Sequence, residues 1–141
     1  MEKTKKITED YVSFETAKLL KEKGFYGECF SMYLTPKPHS GMGNPSEAKI
    51  APHGRDGHYY DGYLYQCEAP TLQMAMKWLR EVHNIHVVPK FDFYAGDYTG
   101  RIYDGRREST VEKDDYIAIV GNSTYEQACE AAIKYCLENL I

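Results

Sequence analysis

The sequence predicts an α+β protein: a two-layer sandwich with helices on one face of a mostly antiparallel sheet. Three observations predict it. Leu72, Ala75, Met76, Leu79 and Val82 carry the 3, 4, 7 spacing of an amphipathic helix, and capping signals open two further helices at Ser13 and at Ser123 or Thr124. The stretches between them alternate with period two. Consecutive strands joined by short turns pair antiparallel, and helices segregated from such strands stack on one face of the sheet. The predicted order is α-β-β-α-β-β-β-α, in one domain spanning residues 1–141.

Residues 1–10 are charged and read as a flexible N-terminus. The first helix has legible ends. Ser13 fits the N-cap, with Val12 and Ala17 placed as a hydrophobic staple. Gly24 fits the position after the C-cap, which brings Phe25 against Leu20. A strand follows at Glu28–Leu34, with Phe30, Met32 and Leu34 on one face and Cys29, Ser31 and Tyr33 on the other. Residues 35–58 hold four prolines and four glycines, a pattern that excludes a regular element and reads as a mobile hairpin insertion loop. A strand at Tyr59–Gln66 puts Tyr59, Asp61, Tyr63 and Tyr65 on one face.

The central helix places Pro70 in its first turn. Leu72, Ala75, Met76, Leu79 and Val82 form its buried stripe, which Met74 and Trp78 widen. The period then changes to two over Ile85–Tyr94, where Pro89 marks an edge strand or a bulge. Ala95-Gly96-Asp97 turns the chain into a strand at Tyr98–Asp104, and Gly105–Asp114 is a charged loop. A last strand at Asp115–Val120 stops at Gly121-Asn122. The final helix has two capping options, Ser123 with Glu126 or Thr124 with Gln127. Its buried side is Ala128, Ala131, Ala132, Tyr135 and Cys136. Trp78, Leu79, Met76, Leu20, Ala132 and Phe93 form the expected core.

Three phrases, YVSFETAKLLKEKGF (Tyr11–Phe25), APTLQMAMKWLREVHNIHV (Ala69–Val87) and YEQACEAAIKYCLENLI (Tyr125–Ile141), resemble an uncharacterised family of small proteins of Bacteroidales bacteria, their phages and prophages. The resemblance implies an accessory protein of a mobile element in the host cytosol. It implies no catalytic residue.

Composition excludes several functions. A net charge of −4 argues against general nucleic-acid binding, which rests on neutralising phosphates. The order from the central helix onward matches that of double-stranded-RNA-binding domains, but Ser123–Gln127 offers no positive charge toward a phosphate. No apolar run approaches the roughly 20 residues that span a bilayer, so neither a membrane partner nor a membrane location is expected. Localisation is cytoplasmic by default. Cys29, Cys67, Cys129 and Cys136 lack CxxC spacing and read as buried small hydrophobes. His83 and His86 straddle a helix-to-strand junction, and His39, His53 and His58 are isolated, so no metal site is expected. Gly41-Met42-Gly43-Asn44 lacks the Lys and Ser/Thr of a phosphate loop. No catalytic constellation and no cofactor site is visible, and the chain reads as non-enzymatic.

Tyrosine is the outlier, at thirteen in 141 residues. If Phe30, Met32 and Leu34 face the helices, then Tyr33 faces away, and Tyr94 and Tyr103 stand opposite Phe91, Phe93 and Ile102. Tyr59, Tyr63 and Tyr65 join them, and Arg101, Arg106 and Arg107 lie near the same region, as cations able to pair with anions. Such a face is either cross-strand cover on an open sheet or a contact surface, because tyrosine combines large area, few rotors and a polar tip. As a contact surface it fits a protein partner or a homo-oligomer. The alternative is a nucleotide-like small molecule, held by ring stacking and cations as by a nucleotide-signal sponge that counters host defence.

Overall fold

A computed structural model describes residues 4–41, 43–53, 60–106 and 116–141, with the backbone alone over 119–123. The elements are α1 (Phe14–Glu22), β1 (Ser31–Pro36), β2 (Lys49–Pro52), β3 (Tyr63–Glu68), α2 (Leu72–His83), β4 (Ile85–Asp92), β5 (Asp97–Asp104), β6 (Ile117–Ser123) and α3 (Tyr125–Asn139). The class is α+β and every strand pairing is antiparallel.

The helix ends follow from their sequences. The Ser13 hydroxyl accepts from Thr16 N, and both staple residues, Val12 and Ala17, are buried. Gly24 is left-handed at φ 87°, with Gly24 N donating to Lys21 O at 3.1 Å and Phe25 N to Leu20 O at 2.8 Å. These two bonds make the Schellman closure. Thr124 and Gln127 complete a reciprocal capping box, the second of the two options. In α2 the cap is Thr71 rather than a residue before Pro70. Pro70 therefore lies outside the helix, and its carbonyl accepts from Val12 N at 3.0 Å.

The strands differ from expectation in three ways. First, they divide into two three-stranded sheets, β2-β1-β3 and β4-β5-β6. Both give one face to a shared core that joins Tyr33 and Cys67 from the first sheet to Ile85 and Ile102 from the second. Second, the Gly/Pro-rich segment does contain a regular element. Residues Lys49–Pro52 return against β1 as a hairpin, with Met32 opposite Ala51. Only long-range pairing makes so short a strand, so local composition does not reveal it. Third, β6 runs through Gly121 and Asn122. Pro89 does sit on an edge strand, since β4 has β5 as its one neighbour.

Of the expected core, Trp78, Leu79, Met76, Leu20 and Ala132 are buried, but Phe93 is 86% exposed. Strand β4 ends at Asp92, whose Oδ1 accepts from Tyr94 N at 2.9 Å and Ala95 N at 3.1 Å. That capture turns the chain before Phe93 can reach the helices. Val82 and Ala131 are likewise exposed, and Trp78 and Ile133 take the inward positions. The four cysteines are free thiols, three of them buried.

Helix α3 packs closely on β5 at Gly100. A Cβ built on Gly100 would lie 2.9 Å from both Ala128 O and Ala132 Cβ. Gly100→Ala is expected to cost about 1–3 kcal/mol by overpacking. Leu79→Ala is expected to cost about 2–5 kcal/mol as a core truncation, whereas Phe93→Ser, at the turn, stays within about 0.5 kcal/mol. Chemical denaturation of the three variants checks the order.

Candidate functional site

The anticipated tyrosine face is not one surface. Tyr33 points into the core, 7% exposed, with its ring 5.3 Å from Phe14 and its hydroxyl donating to the Val12 carbonyl. The parity assumed for β1 is inverted. Met32 and Leu34 face the other way and pack with Ala51 under Tyr60 and Tyr63 as a second small core. Alternation separates two faces without saying which meets the helices, and here the carbonyl of Val12 satisfies the buried hydroxyl. Phe30, assigned to the helix-facing side, precedes β1 and is 89% exposed.

Tyr63 covers that second core, with Lys49 Nζ 3.9 Å from its ring centroid. Tyr65 lies on the edge strand β3. Its hydroxyl donates to Glu68 Oε2 at 3.1 Å, and Glu68 also meets His53 Nε2 at 2.9 Å. His53, isolated in the sequence, thus has a carboxylate partner from the far side of β1. Tyr94 stands on the β4–β5 turn, fully exposed. Tyr59 and Arg107 lie outside the described residues. Among the described residues of that set, only Arg101 and Tyr103 share one strand face as anticipated.

Those two residues centre the best-formed polar surface. Register on β5 puts Tyr98, Gly100 and Ile102 toward the helices and Thr99, Arg101 and Tyr103 away from them. Across β4, His86 lies opposite Tyr103, Val88 opposite Arg101 and Lys90 opposite Thr99. On the other side Arg101 faces Ala118 of β6. Tyr116, just before β6, completes the group: the Arg101 guanidinium lies 4.4 Å from its ring centroid, and the Tyr103 ring lies 5.6 Å away. Arginine over tyrosine holds its charge in place without an acidic partner. Among the described residues neither Arg101 nor Lys90 has an ion-pair partner.

The β4–β5 turn walls this surface. Phe93 and Tyr94 rise from it with their rings edge to face at 6.4 Å. Between the turn and Tyr116 opens a cleft of about 360 Å³, lined by Lys90, Phe93, Tyr94, Thr99 and Arg101. Its size suits one small ligand or the anchor side chains of a protein. Its chemistry is two cations and the Asp92 carboxylate, whose Oδ1 is taken up by the turn's backbone N–H groups, framed by aromatic rings.

Sequence reasoning missed a second, more apolar groove of about 680 Å³. The α1–β1 connection supplies Phe25, Tyr26 and Phe30, and α2 supplies Met74, Trp78 and Val82. The signal was present in α2: Met74, Trp78 and Val82 are four residues apart in turn and form a second stripe beside the core-facing one.

Burial acts on the cysteine thiols. Burial pushes the Cys136 thiol up to about 12 and the Cys129 thiol to about 11. Burial, then the Glu68 carboxylate, pushes Cys29 up to about 11. Such thiols stay protonated at neutral pH and are poor nucleophiles. Among the described residues no three His, Cys, Asp or Glu side chains gather to hold a metal ion. No helix among them is long and apolar enough to cross a membrane. No protein-family model, no curated protein and no solved structure matches the chain.

Tyr33 gives a pH signature. Burial first, then the Glu130 and Cys67 charges, raises its hydroxyl from 10.0 to about 12. A raised pKa on an acid stabilises the fold fully below the unfolded value, and that stability is lost as pH climbs through the folded one. The unfolding free energy is expected to fall between pH 10 and about 12, and Tyr33→Phe is expected to flatten that fall. Chemical denaturation across this range checks it.

Proposed function

We propose that the protein is a non-enzymatic binding protein that engages a protein partner through the open face of β4, β5 and β6. The observation that carries this reading is Arg101, stacked on Tyr116 beside Tyr103 on a sheet face turned away from the helices. Arginine and tyrosine dominate contact energies because both bury large area and retain hydrogen-bonding ends; tyrosine has few rotors to lose, and Arg101 is already held against a ring. Val88 is exposed across from Arg101, and the Phe93–Tyr94 turn adds two projecting rings. A guanidinium held among tyrosine rings thus sits at the centre of the face, with exposed Val88 beside it and two aromatic rings at its edge, residue types enriched at interfaces. The expected context is that of the Bacteroidales phage and prophage proteins whose phrases the sequence resembles: an accessory protein in the host cytosol, with a host or phage protein as partner.

A second reading rests on the cleft between the turn and Tyr116. Lys90 and Arg101 beside Tyr94 and Tyr116 suit a nucleotide-like anion, with the base between rings and the phosphate on the cations. The two readings share residues and part at the ligand.

Tagged full-length chain, recovered from the cell that makes it, tests both. Protein partners are identified by mass spectrometry, and small molecules are weighed after denaturation. Arg101→Ala and Tyr103→Ser are each expected to weaken partner binding at least tenfold, about 1.4 kcal/mol, with unchanged secondary structure. Tyr63→Ser, on the other sheet, is expected to lower stability and leave binding intact. Binding that survives Arg101→Ala with Tyr103→Ser contradicts the proposal. A released nucleotide lost in Lys90→Ala selects the second reading.

A further inference from the structure

We infer that the apolar groove beside α2 is a self-association site, occupied by the same groove of a second copy of this chain about a two-fold axis. The inference is independent of the sheet face, with which the groove shares no lining residue.

Three features make the groove unlike ordinary surface. It is large, at about 680 Å³. Its floor is Trp78, Met74 and Phe25, with the Phe25 and Trp78 rings edge to face at 5.6 Å. Its rim carries two of the most exposed aromatic rings in the molecule, Tyr26 at 94% and Phe30 at 89%. Aromatic side chains held this far into water next to an apolar hollow mark a contact site rather than scattered surface.

The occupant follows from self-complementarity. A two-fold interface uses one patch twice, so the patch must hold both knob and hole. Phe30 and Tyr26 are knobs, and the hollow over Met74 and Trp78 is the hole. The rim charges fit the same operation. Lys77 and Glu81 sit one turn apart on α2, and Glu28 lies on the facing loop. Among the described residues none of the three has an ion-pair partner. An antiparallel crossing of two α2 helices near Trp78 sets Met74 beside the partner's Val82. It also brings Lys77 within one turn of the partner's Glu81, and the reverse. A basic or acidic foreign peptide would answer only one sign of this rim. Methionine and aromatic side chains on the floor adapt their rotamers to a close fit.

Sedimentation of the purified full chain over a concentration series tests the inference. Wild type is expected to double its mass with rising concentration. Phe30→Ser, at an exposed position, is expected to stay folded and monomeric. Lys77→Glu turns two attractive contacts into two repulsive ones and is expected to weaken the dimer at least about fivefold. Adding Glu81→Lys to that variant restores the opposite pairing and is expected to restore dimerisation. Sheet-face variants, Arg101→Ala included, are expected to dimerise normally, so failure here is distinct from failure of the partner-binding reading. The inference is overturned by a wild type that stays monomeric, by a dimer indifferent to Phe30→Ser, or by a charge swap that does not rescue. A small apolar molecule released from monomeric wild type on denaturation would also overturn it and assign the groove to that ligand.

Discussion

The molecule depends on the close approach of α3 to β5 at Gly100. With Ala128 and Ala132 on one side and no Cβ on the other, helix backbone and strand meet so closely that a Cβ on Gly100 would lie 2.9 Å from both Ala128 O and Ala132 Cβ. Helix α3 also packs against α1, α2, β4 and β6. Its small residues let it sit low on the second sheet while Ile133, Leu137 and Cys136 fill the space toward the rest of the core. One face of β4, β5 and β6 is thereby committed to the helices. The opposite face, with Arg101 and Tyr103, is left to do something else.

The two sheets spend their tyrosines differently. In the first sheet they are structural. Tyr33 is part of the main core, and Tyr60 and Tyr63 roof a second one over Met32, Leu34 and Ala51. Strand β1 is buried along its whole length because it is the middle strand of its sheet with packed side chains on both faces. In the second sheet Tyr103 and Tyr116 roof no core among the described residues. They hold an arginine instead. Residue type alone does not separate cover from contact, but what lies beneath the ring does.

Local features were legible in the sequence and long-range ones were not. The cap at Ser13, the closure at Gly24–Phe25 and the capping box at Thr124 are written in four or five adjacent residues, and the chain obeys them. The outward direction of Arg101 and Tyr103 followed from simple alternation against Ile102. The side taken by Tyr33 did not, since it is decided by the Val12 carbonyl twenty-one residues earlier. Nor did the exact end of β4: alternation runs on through Phe93 and Tyr94, and the strand stops at Asp92, whose side chain captures two backbone N–H groups while its carbonyl accepts from Gly96 N. The exposure of Phe30 was hidden for the same reason, because a strand shifted to start at Ser31 leaves that ring outside. His53 and Glu68 meet only because β2 and β3 flank one strand.

The division between structural and contact tyrosines can be measured directly by chemical footprinting of tyrosine rings, in the cell that makes the protein and on the purified chain. Partner engagement through the second sheet predicts that Tyr94, Tyr103 and Tyr116 are protected in the cell and reactive once purified. Tyr63 and Tyr65 should react equally in both, and Tyr33 in neither. Equal reactivity of Tyr103 and Tyr116 in the two settings would contradict the assignment of that face as a contact surface.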